Sequence, residues 1–318
     1  VSLFADRMMG EINFSTTVHC QASGGTGSYV YTWSGTKSDI DSFGSCADTS
    51  CPILLATLGN HTITCSVVSG DTNSSVSIIL QVTKRARQIS AIIVFGDSLS
   101  YGHGLANPAN ESWPVVYSRT FRHATLHNYA IDGAGTQYVL TNEMPRYQND
   151  TIAGISKGGS AKNAMAKGNV LVFVWIGAND IKLLVPPDTF ADNLGMILDN
   201  LTGAGYKDII LMTIPDMSKL SVATEVEQGV NQFLSNVGLQ PIGVKQIGQE
   251  VITRYNNVIT HEAAARGLRV IDMFTFMKTI PDGLITADRV HPNAEGQKLV
   301  AKYVQDTVIS FYPSDELQ

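Results

Sequence analysis

Five apolar runs recur after residue 88: ISAIIVFG, ATLHNYA, NVLVFVWIG, KDIILMTI and LRVIDM. Stretches of helical character separate them. Between the last two lies VKQIGQEVITRYNNVITHEAAARG, whose apolar residues recur at three and four and which ends at Gly267, as a helix C-cap would. Strand–helix alternation predicts a parallel sheet covered by helices on both faces. The second part of the chain is therefore limited to an α/β architecture.

The first part obeys a different rule. Residues 10–83 are rich in Ser, Thr and Gly, and their apolar residues alternate in short runs such as INFSTTVHC, YVYTWS, HTITCSVV and VSIILQV. That pattern predicts an all-β sandwich. The basic joint KRARQ, residues 84–88, is the expected linker, so the expected domains are 1–84 and 85–318. A chain of 318 residues accommodates two domains. The four cysteines, Cys20, Cys46, Cys51 and Cys65, all lie in the first domain. An even number confined to one small segment reads as two disulfides and an oxidising compartment, with a secreted, periplasmic or cell-surface location expected. A zinc site is the weaker reading, because there is no C-x-x-C pair and His19 and His61 are poorly spaced. The order Cys20, Trp33, Cys65 resembles an immunoglobulin-like domain, and GGTGSYVYTWSG resembles bacterial surface repeats of the PKD type. That resemblance pairs Cys20 with Cys65, leaves Cys46 with Cys51 as a loop staple, and makes Trp33 a core residue.

Charge narrows the partners. The net charge of −6 offers no basic excess for a nucleic acid. The longest apolar runs, such as residues 170–176, fall short of the roughly 18–20 residues that span a bilayer. Val1 stands where an initiator Met would, which reads as a mature or trimmed form.

Ligands of open parallel sheets bind beyond the carboxyl ends of the strands. The residues there are Asp97 and Ser98 after IIVFG, Asp132 and Gly133 after HNYA, Asn179 and Asp180 after VFVWIG, and Asp288 and His291 in TADRVHPNAEG after the last strand. Their chemistry suits acyl transfer. A serine hydroxyl needs a base within hydrogen-bond reach, and the base needs an orienting group. Three residues span about 10 Å even when extended, so a turn lets Asp288 meet the His291 imidazole. Gly133 offers an unobstructed backbone N–H, Asn179 a side-chain amide, and Ser98 its own N–H to a developing oxyanion.

Four blocks, FGDSLS at 95–100, NYAIDGAGT at 128–136, WIGAND at 175–180 and DRVHPN at 288–293, resemble the GDSL family of the SGNH hydrolase superfamily, in the family's order. The resemblance implies a three-layer α/β/α flavodoxin-like fold and ester hydrolysis without a metal or other cofactor. It implies Ser98 as nucleophile, His291 as base, Asp288 as its partner, and Ser98, Gly133 and Asn179 as the oxyanion hole. VWIGAND and NYAIDGAGT are similar to the lipase/acyltransferase branch, whereas GHGLANPANESWP is similar to small arylesterases and lysophospholipases. Tyr101 and Ala130 depart from patterns common in the family. The G-x-S-x-G elbow of α/β-hydrolases is absent, since Ser100 takes the second glycine's place.

The remaining conspicuous residues read as support. Asp97 and Asp180 are expected to shape loop backbone, with a second acid as the other reading of Asp97. His103 is expected to be a solvated loop histidine, with pocket lining as the alternative, and Trp113 either to wall a pocket or to pack on the sheet. The segment between Pro215 and Pro241 is expected to wall the pocket or act as a lid. The expected function is a serine esterase or lipase acting on lipid or phospholipid acyl esters through an acyl-enzyme, with acyltransferase activity as a variant. Its expected partners are the ester substrate and a lipid or membrane surface. A short-chain or carbohydrate O-acetyl esterase is the alternative substrate class. The rival class is a surface adhesion protein, whose N-terminal domain binds a glycan or a cell surface.

Overall fold

The computed structural model describes residues 1–35, 42–43, 46, 49–156, 169–217 and 244–318. Beyond Pro215–Met217, the expected wall or lid segment lies outside the described residues. The chain divides into two compact units, Val1–Arg87 with Tyr312–Glu316, and Gln88–Phe311 with Leu317–Gln318.

The first unit contains two four-stranded sheets. One has the order β1 (Ser2–Ala5), β3 (Phe14–Gln21), β6 (Ser50–Leu55), β5 (Ser42–Phe43). The other has the order β2 (Met9–Glu11), β8 (Thr72–Thr83), β7 (Gly59–Ser69), β4 (Val30–Gly35). Strand periodicity sets which side chains turn inward. In β3 Phe14, Thr16, Val18 and Cys20 are buried while Ser15 and Gln21 are exposed. Both sheets contribute to one apolar core, with Phe14, Val18, Ile53 and Leu55 from one and Ile63, Leu80 and Val82 from the other. A disulfide between Cys20 on β3 and Cys65 on β7 ties the sheets together, and Cys46 is joined to Cys51. No cysteine is free, which removes the zinc reading. Trp33 packs against both apolar clusters of this unit. The division differs from residues 1–84 and 85–318 in two places. The expected linker is partly strand, β9 (Arg85–Arg87), and Tyr312–Glu316 groups with the first unit. Two contacts explain this: the Arg85 amide donates to the Ser314 carbonyl (2.9 Å), and the Arg87 guanidinium lies over the Tyr312 ring.

The second unit is built on a five-stranded parallel sheet formed by β10 (Ala91–Gly96), β11 (Thr125–Asn128), β12 (Val170–Trp175), β13 (Asp208–Met212) and β14 (Arg269–Ile271). Its spatial order is β11-β10-β12-β13-β14. In sequence terms that is 2-1-3-4-5, the flavodoxin-like winding, with its switch point between β10 and β12. Every residue of β10, β12 and β13 is buried, which explains their unbroken apolar runs: helices cover both faces. On one face Ile93, Phe95, Val172 and Val174 share a core with Phe190, Leu194, Ile252 and Tyr255. On the other, Phe173 and Trp175 meet the edge of Trp113. The fold is thus three-layered. Among the described residues no helix is long and apolar enough to cross a membrane.

Candidate active site

Strand β10 ends at Gly96, and the chain turns at once into a one-turn helix, α1 (Ser98–Tyr101). The turn depends on that glycine. A Cβ at Gly96 would stand 2.6 Å from the Trp175 carbonyl oxygen of the neighbouring strand. Asp97 caps α1, its Oδ1 accepting the Leu99 amide at 3.0 Å. Its conspicuous charge therefore orders the turn that presents Ser98. Burial pushes the Asp97 carboxyl up to about 7, against the opposing bond from Leu99.

The residue that meets Ser98 comes from 193 positions away. His291 Nε2 lies 2.7 Å from Ser98 Oγ, and His291 Nδ1 lies 2.7 Å from Asp288 Oδ2. A carboxylate only accepts, so Nδ1 carries the proton and Nε2 turns its lone pair to the serine hydroxyl. Asp288 is itself tightly held. Its Oδ1 accepts from the Thr286 hydroxyl at 2.7 Å and from the Val290 and His291 amides at 2.9 and 3.1 Å. Burial works to raise its pKa, but these bonds and the one from His291 outweigh it and hold the carboxyl well below the usual range. Asp288 is thus an anion wherever the protein is folded at ordinary pH.

Gly133 lies in the loop after β11, with φ at +78°, a conformation that a side chain would strain. Asn179 lies on α2 (Ala178–Lys182), directly beyond β12. Its Nδ2 donates to the carbonyl of Ala134 at 3.0 Å, so the Gly133 and Asn179 blocks are joined and the amide's second N–H is left for a ligand. Asp180 keeps this junction in place, accepting the Thr136 amide and, at 2.6 Å, the Thr136 hydroxyl. Thus Ser98, His291 and Asp288 form one hydrogen-bonded chain, with Gly133 in the loop and Asn179 on the short helix beyond the two strands flanking β10.

Three placements were not legible in the sequence. Trp113 is fully buried against the sheet, and its Nε1 reaches the Ser100 hydroxyl at 3.3 Å, so it packs on the sheet. His103 is partly exposed but not simply solvated: its Nδ1 sits 2.7 Å from Asp132 Oδ2, and its ring centre is 4.6 Å from that of His291. Glu143 is buried at the end of a π-helical turn, Val139–Glu143, and its Oε2 accepts the Gly96 amide at 3.1 Å. Burial first, and then the charge of Asp97, push its carboxyl up to about 9. No local pattern marks it, since its partner Gly96 lies 47 positions away in the chain.

Beside the Thr286–Val290 loop lies a cavity of about 560 Å³, whose lining includes Met217, Met277, Ile285, Asp216, Lys278 and Arg289.

The solved structures to which the chain is similar include a lipolytic protein of the G-D-S-L family from Veillonella parvula, at 19% identity and TM-score 0.46, covering 68% of this chain and 96% of that one. They also include a lipase/acylhydrolase from Enterococcus faecalis, at 18% identity and TM-score 0.47, covering 71% and 98%. A third is the psychrotrophic esterase EstA from a Pseudoalteromonas species, at 16% identity and TM-score 0.47, covering 70% and 98%. Among curated proteins no sequence matches the chain. The profile of the GDSL-like lipase/acylhydrolase family matches residues 94–299, a span that holds Ser98, Gly133, Asn179, Asp288 and His291. The chain belongs to the GDSL-like lipase/acylhydrolase family and is a serine hydrolase of the GDSL type.

Proposed function

We propose that this enzyme cleaves carboxylic esters through an acyl-serine intermediate on Ser98. The observation that carries the reading is the continuous chain Ser98 Oγ, His291, Asp288, with both links at 2.7 Å. As Ser98 Oγ attacks the ester carbonyl, its proton passes to His291 Nε2, and the Asp288 anion stabilises the imidazolium. The tetrahedral oxyanion takes hydrogen bonds from the Ser98 and Gly133 amides and the Asn179 side chain. Collapse breaks the bond to the alcohol oxygen, which leaves with the proton from His291. A water then gives its proton to His291 and attacks the acyl carbon. The second collapse frees the acid and returns the proton to Ser98. Replacing Ser98 by Ala in the full chain and measuring hydrolysis of a p-nitrophenyl ester tests the scheme. Loss of turnover with an unchanged fold is expected, and full activity overturns it.

The preferred substrate is a lipid or phospholipid acyl ester. Leu183 and Leu184, 65% and 86% exposed, directly follow the helix that carries Asn179, and they offer apolar surface at that end of the sheet. The charged lining of the cavity beside the Thr286–Val290 loop favours a second reading, a short-chain or acetylated-sugar ester. A series of p-nitrophenyl esters separates them: a maximum at long chains supports the first, a maximum at acetate the second. Interception of the acyl-enzyme by a glycerol or sterol hydroxyl would make the enzyme an acyltransferase, which product analysis detects.

The first unit reads as an immunoglobulin-like domain of a secreted, periplasmic or surface protein. The bond between Cys20 and Cys65, and Trp33 paired opposite Cys65, support that reading. Its proposed partner is a glycan or cell surface, tested by comparing binding of the full chain before and after disulfide reduction.

A further inference from the structure

The hydrolytic cycle makes no use of His103. This residue lies two positions after α1, and its side chain is 45% exposed. One ring nitrogen of His103, one of His291 and one carboxylate oxygen of Asp288 all lie within 4.8 Å of one another. We propose that this cluster is an inhibitory site for a transition-metal dication of the zinc type, which ligates His103 and His291 together and takes the base out of action. The inhibitory effect rests on the reading of His291 as general base; the binding of the ion does not.

Donor chemistry selects the ion. Imidazole nitrogens suit Zn²⁺, Cu²⁺ and Ni²⁺, whereas Mg²⁺ and Ca²⁺ require oxygen shells. The surroundings of the two rings point the same way. Metal-bound histidines characteristically donate their second N–H to a carboxylate, which fixes the tautomer and makes the other nitrogen more basic. Both rings have that partner, at 2.7 Å in each case: Asp132 on Nδ1 of His103 and Asp288 on Nδ1 of His291. Nε2 of each ring is then the nitrogen left to coordinate. The two carboxylates also supply negative charge next to a dication.

The required movement is small. Two nitrogens on one tetrahedral zinc, each about 2.0–2.1 Å from it, lie about 3.4 Å apart. The ring centres of His103 and His291 stand 4.6 Å apart and a donor nitrogen of each lies within 4.8 Å of the other, so the exposed His103 ring has at most about 1.4 Å to close. Water completes the shell. The cost falls on catalysis: the lone pair of His291 Nε2 leaves the Ser98 hydroxyl for the metal, and no proton acceptor remains. No covalent bond within the protein is made or broken, so a chelator reverses the effect.

The test titrates Zn²⁺ against hydrolysis of p-nitrophenyl acetate by the full chain, followed by excess chelator. Reversible inhibition is expected. His103→Ala should raise the inhibitory zinc concentration at least tenfold, and Asp132→Asn, which weakens an outer partner, should raise it by about ten- to a hundredfold. A calorimetric titration of Zn²⁺ into Ser98→Ala protein, compared with Ser98→Ala/His103→Ala, reads the site without turnover. Binding in the first and its loss in the second supports the proposal even if His103→Ala lowers basal activity or the ester is not a substrate. Equal inhibition of the wild type and His103→Ala, or no calorimetric difference between the two Ser98→Ala proteins, overturns it.

Discussion

The two units solve the problem of burying a sheet in opposite ways. In the first, strands such as β3 and β7 alternate, with every second residue turned inward, and a disulfide bolts two thin sheets together. In the second, β10, β12 and β13 are buried along their whole length, and the unit has no cysteine at all. A sheet covered on both faces encloses enough apolar surface to stand without cross-links; a small sandwich encloses less and gains from them. The difference also decides where chemistry can sit. Only the parallel sheet has strand ends that all point the same way, so that loops from distant parts of the chain meet.

The sharpest way to break that contrast is to attack the strand-end residues. Ser98→Ala should lower kcat by about 10⁴ or more, and Asp288→Asn, which removes the anion that orients His291, by about 10⁴, with thermal unfolding little changed. Activity within tenfold of wild type in either variant would detach the chemistry from this edge of the sheet. Phe173→Ala, at a fully buried position between Trp113 and Tyr117, should cost about 3–5 kcal/mol in a denaturant titration followed by activity. Reduction of the Cys20–Cys65 bond should destabilise the first unit by about 2–5 kcal/mol, read by hydrogen exchange on β3 and β7, while ester hydrolysis at 25 °C persists. Loss of hydrolysis on reduction would show that the second unit does not stand alone.

A further test concerns pH. Glu143 is raised from 4.5 to about 9, so between those values the folded chain holds a proton that the unfolded chain has released. The stability contributed by that proton is fully present below about pH 4.5 and is lost as pH rises towards 9. Glu143→Gln keeps an acceptor for the Gly96 amide and removes the titration. Its unfolding free energy, read by denaturant titration, should therefore fall less steeply than that of the wild type from pH 5 to 9, the slopes differing by at most about 1.4 kcal/mol per pH unit. Parallel slopes would show that Glu143 is ionised in the folded protein.

Much of the second unit was legible because its signals are local. The unbroken run AIIVFG, one of several alternating with helical stretches, reads as a strand covered on both faces, and the Asp-Ser pair after it marks a capped turn at the sheet's edge. Trp113 was ambiguous, because an aromatic beside a proline has no period to follow; burial against Phe173 and Trp175 decided it. The chain's end was misplaced for a similar reason. Nothing in YPSDEL announces pairing with RAR more than two hundred residues earlier, yet the Arg85–Ser314 hydrogen bond draws Tyr312–Glu316 into the first unit.

By itself the sequence determined the two fold classes, the strand ends and the residue types waiting at them, because periodicity and turn chemistry act over a few neighbouring residues. Only the tertiary structure decided which of those residues touch. The 2.7 Å link from Ser98 to His291, the His103 ring against it and Glu143 beneath the Gly96 turn all join segments far apart in the chain. Such contacts depend on sheet order and helix packing, which no local pattern encodes.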